Sequence, residues 1–280
     1  MITAGQWLRH ARTALAAAGV ESPRLDAELL LMHAWDVDRT SLITRNMDAL
    51  PDEVAVAAER LLERRCQREP LAYLVGNKEF WSREFEVGPG VLIPRPETEH
   101  LVESVLTRFS DHGRPWRFAD IGTGSGCLAV TLACEYPAAS VTATDISEPA
   151  LAVSRRNAAR HGVAERMHWY RGHLYEALPP GTAPFDAIIS NPPYVSLDES
   201  RNLEPELGFE PAEALTDGAD GLSLLTALLA GAADWLTAGG YLIIETGPCG
   251  LPKPLPAMIF ETEIRDLAGR LRGGIYRRAP

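Results

Sequence analysis

Apolar residues recur at helical spacing through the first 68 positions of the chain. Trp7, Leu8, Ala11, Leu15 and Ala18 fall on one face of a helix. Ser22-Pro23 reads as a cap followed by a first-turn proline, and "RLDAELLLMHAW" continues on a helical period. Pro51-Asp52-Glu53 opens a further helix whose apolar face includes Val54, Ala58, Leu61 and Leu62. Its first turn is acidic and Arg64 and Arg65 stand near its end, as the helix dipole prefers. Between Pro70 and Glu99 the pattern changes: "EFWSREFEV" alternates like a hairpin, with Gly and Pro clustered around it. From about Pro115 apolar runs alternate with helical stretches. The strands are "WRFADIG", "SVTATDIS", "MHWYRG", "FDAIIS" and "GYLIIET"; the helices include Cys127 to Tyr136, Pro149 to His161 and Leu222 to Leu236. This order predicts an α/β domain with a mostly parallel sheet covered on both faces. Such sheets bind ligands off the carboxyl ends of their strands, where the topology switches. The expected division is a helical bundle over 1–68, a hairpin linker and pocket loop over 69–99, and the α/β domain over 100–280.

Composition narrows the classes. With 280 residues, 46% of them hydrophobic, the chain can fill one large domain or two modest ones, and a packed core rather than disorder is expected. A net charge of −11 argues against binding nucleic acid by electrostatics alone and suits a basic partner. Cys66, Cys127, Cys134 and Cys249 form no C-x-x-C pair, so neither a zinc knuckle nor a disulfide framework is indicated. No metal site is expected, and a reducing, cytoplasmic setting is. No apolar run approaches the ~18 residues of a membrane span. Arg9, His10 and Arg12 ahead of "TALAAAGV" faintly resemble a signal peptide. That stretch is short and alanine-rich, and the helical spacing across it predicts an amphipathic helix instead.

The first chemical motif is "DIGTGSG", Asp120 to Gly126. Gly122, Gly124 and Gly126 let the backbone turn sharply and a ligand come close. A dinucleotide fingerprint from Gly122 would need glycine at 127, where Cys127 stands, and a P-loop would need a Gly-Lys-Ser/Thr ending. Asp145 ends the next strand, where a carboxylate can accept both hydroxyls of a ribose. Taken separately, the loop could be a tight turn without a ligand and Asp145 a helix cap. Together they point to an adenosine-bearing ligand without phosphates, which S-adenosylmethionine satisfies.

The second motif is "SNPPYVS", Ser190 to Ser196, directly after the apolar "FDAIIS". An ordinary Asn-Pro turn is the plain reading. Proline fixes its own φ and pushes the preceding residue into an extended conformation, so Pro192 restrains Asn191 and Pro193 restrains Pro192. The Asn191 side-chain oxygen and the Pro192 carbonyl can then converge on one spot. Two acceptors suit a substrate NH₂ group, which has two hydrogens to donate. An amide nitrogen is a poor nucleophile, and holding it by two acceptors turns it toward a methyl donor that is already activated. Tyr194 offers a flat face to a planar acceptor. A carboxylate at 191 would stabilise the cationic donor before reaction, which the neutral amide avoids.

The sequence resembles the release-factor glutamine N5-methyltransferases, the HemK-type enzymes of bacteria, over nearly its whole length. The segments that carry the resemblance are "ESPRLDAELLL", "REPLAYLVGNKEFWSREFEV", "VLIPRPETE", "DIGTGSG", "SNPPY", "GFEPAEAL" and "RDLAGR". "NPPY" alone is shared with nucleic-acid adenine methyltransferases; "LIPRPETE" with "NPPY" is far more specific. The resemblance implies an N-terminal helical domain for substrate recognition, a hairpin linker and a seven-stranded class I methyltransferase sheet. It implies S-adenosylmethionine as cofactor and the glutamine of the Gly-Gly-Gln loop of class I release factors as substrate, with a monomeric enzyme. Carried over by position, Gly122, Thr123, Gly124, Ser125, Gly126 and Asp145 contact the cofactor. Asn191, Pro192, Pro193 and Tyr194 contact the glutamine, Asn191 touching the cofactor as well. Arg95 would shape the pocket mouth, or stand solvated or ion-paired.

Two departures stand out. Where the family has an acid followed by an aromatic after the third strand, this chain has His173 and Leu174, which would meet the adenine in their place. After "LIIET" the family has a helix; here "GPCGLPKPLPAMIF" carries Pro248, Pro252, Pro254 and Pro256. An interior proline costs a helix ~3 kcal/mol, so that helix is expected to be absent or very short. The alternatives to a glutamine-directed enzyme are an adenine-N6 methyltransferase of DNA or RNA, which a basic groove would favour, and a cofactor-binding scaffold without turnover.

Overall fold

A computed structural model of the chain describes residues 2–201 and 203–280. Two compact units emerge, one from the chain up to Asn77 together with Glu204–Phe209, the other from Lys78–Leu203 and Glu210–Pro280. The first unit therefore runs past Arg68 and takes in a short later segment.

That first unit is helical: α1 (Ala4–Ala17), α2 (Pro23–Trp35), α3 (Arg39–Thr44), α4 (Asp52–Cys66) and α5 (Leu71–Val75). Thr3 and Gln6 form a capping box at the start of α1, each side chain satisfying the other's backbone N–H. The apolar stripe of α1 is buried: Trp7, Ala11 and Leu15 pack with Leu30, Leu31 and Leu62. α2 does begin at Pro23, but the expected cap at Ser22 makes no side-chain hydrogen bond. Arg65 stands in the last turn of α4, as the sequence predicts, and is also buried. It donates to Asp26 at 2.7 Å and to Glu206 at 3.1 Å, and Arg68 donates to the same Glu206 at 2.7 Å. A charge this far from water persists only when its donors are matched, as they are here.

The second unit opens on a hairpin, β1 (Asn77–Phe80) and β2 (Arg83–Glu86). Its two-residue turn is Trp81-Ser82, both left-handed at φ 52° and 55°, a position usually given to Asn-Gly. Trp81 is held there from both ends: its backbone N–H donates to Glu99 at 2.8 Å and its indole N–H to Glu135 at 3.2 Å. A 3₁₀ turn (Pro96–Thr98) leads into α6 (Glu99–Arg108). Then follow β3 (Arg117–Ile121), α7 (Cys127–Glu135), β4 (Ser140–Asp145), α8 (Glu148–Arg160), β5 (Met167–Arg171) and β6 (Phe185–Ser190). The chain continues through α9 (Leu197–Ser200), α10 (Ala212–Leu215), α11 (Ser223–Trp235), β7 (Leu236–Glu245), β8 (Met258–Arg265) and β9 (Leu271–Arg278).

The sheet has seven strands in the order β5-β4-β3-β6-β7-β9-β8, parallel from β5 to β7, with β9 antiparallel to both its neighbours. This is the class I methyltransferase arrangement that the resemblance implies. Both faces are covered. Phe118, Ile189 and Ile243 pack with α6 and α7, while Ala119, Ile188 and Leu242 pack with α11; parallel strands buried on both faces read as continuous apolar runs for this reason. Between β7 and β8 the described residues contain no helix. The proline-rich segment is pinned as a loop: Tyr276 donates its hydroxyl to the Pro252 carbonyl at 2.7 Å, and Thr246 donates to the Gly250 carbonyl. Among the described residues no helix is long and apolar enough to cross a membrane.

Candidate functional site

From β3 the chain moves outward through β4 and β5, then returns to lay β6 on the other side of β3. The crevice at that switch point, off the carboxyl ends of β3 and β6, is where such sheets take ligands. A cavity of about 230 Å³ opens there. Its wall is built from the loop after β3, the end of β4, the first residues after β5 and β6, and the segment leading to α6.

The glycine loop is tied to β4 by its backbone. Gly122 and Thr123 both donate to the Thr144 carbonyl, at 2.9 and 2.8 Å. Gly124 donates to Asp145 Oδ2 at 2.8 Å, while Asp145 Oδ1 accepts the Ser147 N–H at 2.9 Å. Ser147, not Asp145, supplies the side-chain cap of α8. Burial pushes the Asp145 pKa up, and the backbone donors pull it back. Gly122 and Gly124 have left-handed backbones, and a Cβ on either would stand in open space with nothing within 4 Å. A side chain there would occupy the cavity itself, so the two glycines leave room for a ligand against bare backbone. Gly126 has another task. It does not line the cavity, and a Cβ on it would run into the Ser154 side chain.

At the end of β6 the Ser190 hydroxyl donates to the Ile121 carbonyl at 2.5 Å, which draws Asn191 beside the glycine loop. Asn191 donates its side-chain NH₂ to Thr98 Oγ1 at 3.0 Å. Its carbonyl end and the Pro192 carbonyl accept no hydrogen bond from the described residues, and both residues line the cavity with Pro193. Tyr194 does not. Its ring lies against Gly247 and its hydroxyl donates to Glu245 Oε1 at 3.0 Å. The hydroxyl of the ring expected to face a planar acceptor is thus held by a buried acid.

Arg95 lines the cavity and is ion-paired at the same time, with Nη2 at 2.5 Å from Glu210 Oε1. Glu210 Oε2 also accepts the Ile93 N–H at 2.9 Å, so this acid clamps the "LIPRPETE" loop over the cavity. His173 and Leu174 line it too, at the start of a 3₁₀ turn in which Leu174 is left-handed at φ 46°.

Three residues that sequence reasoning passed over belong to this site: Thr98, Glu210 and Glu245. Glu245 ends β7 and is 1% exposed; burial pushes its pKa up to about 7, against the nearby Thr98 and Tyr194 hydroxyls that pull it down. Asp120, at the foot of the glycine loop, is likewise pushed up to about 7 by burial although Thr123 and the Ala129 N–H donate to it. An acid at the end of an apolar strand was the available signal for Glu245.

Residues 6–76 match the family model of the PrmC N-terminal domain, and residues 98–220 match that of the methyltransferase small domain. The release factor glutamine methyltransferase of Neisseria gonorrhoeae is 46% identical over 225 residues, covering 80% of this chain and 81% of that protein. That of Nitratidesulfovibrio vulgaris is 45% identical over 270 residues, covering 94% and 90%. That of Moorella thermoacetica is 40% identical over 277 residues, covering 97% of each chain. Identity of 40–46% over as much as 97% of the chain is accounted for by common descent: the chain belongs to the release factor glutamine methyltransferase family.

Proposed function

We propose that the chain transfers a methyl group from S-adenosylmethionine to the side-chain amide nitrogen of the glutamine in the Gly-Gly-Gln loop of a class I peptide chain release factor. The observation that carries this reading is Asn191. Its nitrogen is held by Thr98, which leaves its oxygen free, and both it and Pro192 line the cavity, where the two oxygens would serve as paired acceptors.

Gly122, Thr123, Gly124 and Ser125 would hold the cofactor against bare backbone, Asp145 would accept its ribose hydroxyls, and His173 and Leu174 would meet its base. When bound, the cofactor supplies a methyl group already activated on a sulfonium. Asn191 and Pro192 then orient the glutamine NH₂ so that the nitrogen lone pair points along the line of transfer. The methyl group would pass from the sulfonium to that nitrogen, leaving a neutral thioether, and the displaced amide proton would pass to solvent. Orientation of this kind can contribute up to ~7–11 kcal/mol when the geometry is ideal.

Both acceptors would equally suit an adenine amino group, so selection has to come from elsewhere on the chain. The helical unit is read as a second contact for the factor, raising its effective concentration at the cavity. A net charge of −11 suits a basic protein partner and repels nucleic acid. In this reading the enzyme works as a monomer in the cytoplasm, on protein and away from membranes. Incubation with labelled methyl donor tests it: label should enter intact release factor and not duplex DNA or RNA. Faster labelling of nucleic acid would replace this reading with an adenine-N6 activity.

One consequence concerns the departure at His173. Substitution His173→Asp is expected to tighten S-adenosylmethionine and leave the reaction unchanged. A carboxylate always accepts from an adenine amino group, whereas a histidine does so only as one neutral tautomer. Calorimetry on the variant checks this; weaker binding would show a pocket rebuilt around the histidine.

A further inference from the structure

Asn191 is useful only one way round. Its side chain has an NH₂ end and an oxygen end of nearly the same shape, and only the oxygen can accept a substrate hydrogen. The partner that decides between them is Thr98. This hydroxyl is 2% exposed and accepts the Asn191 NH₂ at 3.0 Å. Thr98 also carries a hydrogen of its own, and solvent is not there to take it. Beside it lies the Glu245 carboxylate, 1% exposed, with Oε1 taken by the Tyr194 hydroxyl at 3.0 Å and Oε2 buried without a partner. No hydrogen bond joins them as they stand, but the Thr98 hydroxyl is near enough to pull the Glu245 pKa down, so a buried hydroxyl hydrogen and an unpartnered carboxylate oxygen are available to each other.

We propose that Glu245 is a positioning residue: its carboxylate takes the Thr98 hydrogen, so that Thr98 can only accept, and Asn191 must present its nitrogen to Thr98 and its oxygen to the cavity. This rests on the function proposed above and goes beyond it by naming what sets the acceptor pair. It also gives Tyr194 a task, which is to anchor the other carboxylate oxygen.

The arrangement depends on charge. An ionised Glu245 can only accept. A protonated one can donate to Thr98, whose hydrogen then turns to the Asn191 oxygen, and the amide turns over. With Glu245 pushed up to about 7, the productive orientation is set above that pH and lost below it. The charged and titratable groups around Glu245 are few. Glu97, in the turn before α6, raises its pKa and Arg272, on β9, lowers it; these two are paired at 3.3 Å. Burial keeps Tyr194 far above its usual range and pushes the Cys127 thiol up to about 12, so both stay neutral throughout. Asp120 titrates in the same interval, pushed up to about 7, but its partners are Thr123 and the Ala129 N–H.

The test is nitrogen NMR on the full-length protein, with the Asn191 side-chain NH₂ signals identified by their loss in Asn191→Ala. In the wild type these signals should shift with pH, with a midpoint near 7. In Glu245→Gln they should not shift. Asp120→Asn should keep the shift. Thr98→Val, a second way to break the relay, should remove it, and Thr98→Ser should restore it. On release factor, Glu245→Gln should lower kcat by about tenfold without weakening S-adenosylmethionine. Asn191 signals that ignore pH in the wild type, or that follow it unchanged in Glu245→Gln, overturn the proposal. A wild-type enzyme that does not methylate release factor would sink the proposed function instead, and the NMR result would still decide the role of Glu245.

Discussion

Asn191→Ala is expected to lose methyl transfer while S-adenosylmethionine binding stays close to wild type. The substitution removes one of two acceptors for the glutamine NH₂ and leaves the Pro192 carbonyl alone to orient it. Loss of a single group that acts on the reacting centre typically lowers kcat about 10²–10³-fold. Cofactor contacts should survive, because the glycine loop is held by Thr144 and Asp145 and not by Asn191. Single-turnover assays and calorimetry on the same preparation separate the two effects. Turnover within a few-fold of wild type would remove Asn191 from the mechanism.

Asp145→Ala should do the reverse, with its main effect on cofactor affinity. Two charge-assisted hydrogen bonds to a ribose are each worth about 1.5–3 kcal/mol at most, and less where water takes over, so a weakening of about 10–100-fold is expected. The structure adds a second cause. Asp145 also holds the Gly124 N–H at 2.8 Å, so its loss frees the middle of the glycine loop. Asp145→Asn is the milder change: its one oxygen can still serve Gly124, while it loses the acceptor for the Ser147 N–H and the charge toward the ribose. Calorimetric titration of both variants should rank wild type tightest and alanine weakest. An unchanged dissociation constant in both would reduce Asp145 to a loop anchor.

Much of the sheet is legible in the chain because buried parallel strands are continuous apolar runs. β3, β4 and β6 end in Asp120–Ile121, Asp145 and Ser190 as their patterns predict. β7 begins earlier than its pattern suggests. The sequence places a helix end at Leu236 and the strand start at Gly240, yet Leu236 already pairs with Phe185, and the glycines sit at an irregularity in the ladder. β8 and β9 were expected only through the family resemblance, since β8 is mostly exposed and carries little apolar alternation. The hairpin was legible but its Trp81-Ser82 turn was not, because two hydrogen bonds from elsewhere hold a conformation that Trp81 does not choose locally.

The same division runs through the site. Gly122, Gly124, Asp145 and Asn191 lie in short motifs whose chemistry is local. Thr98 and Glu245 are invisible in that way: Asn191 reaches Thr98 across 93 residues, and Tyr194 reaches Glu245 across 51. Arg95 shows the limit most plainly. Its sequence neighbours allow a pocket residue or an ion pair, and only the fold, by bringing Glu210 to 2.5 Å, makes it both.

The central claim is that the paired acceptors at Asn191 and Pro192 serve a glutamine side chain. Mass spectrometry of release factor after incubation with the enzyme and S-adenosylmethionine tests it most directly. One added methyl group is expected, on the side-chain nitrogen of the glutamine in the Gly-Gly-Gln loop, and none on a factor in which that glutamine is alanine. Methyl groups on another residue, or equal incorporation into the alanine variant, would contradict it.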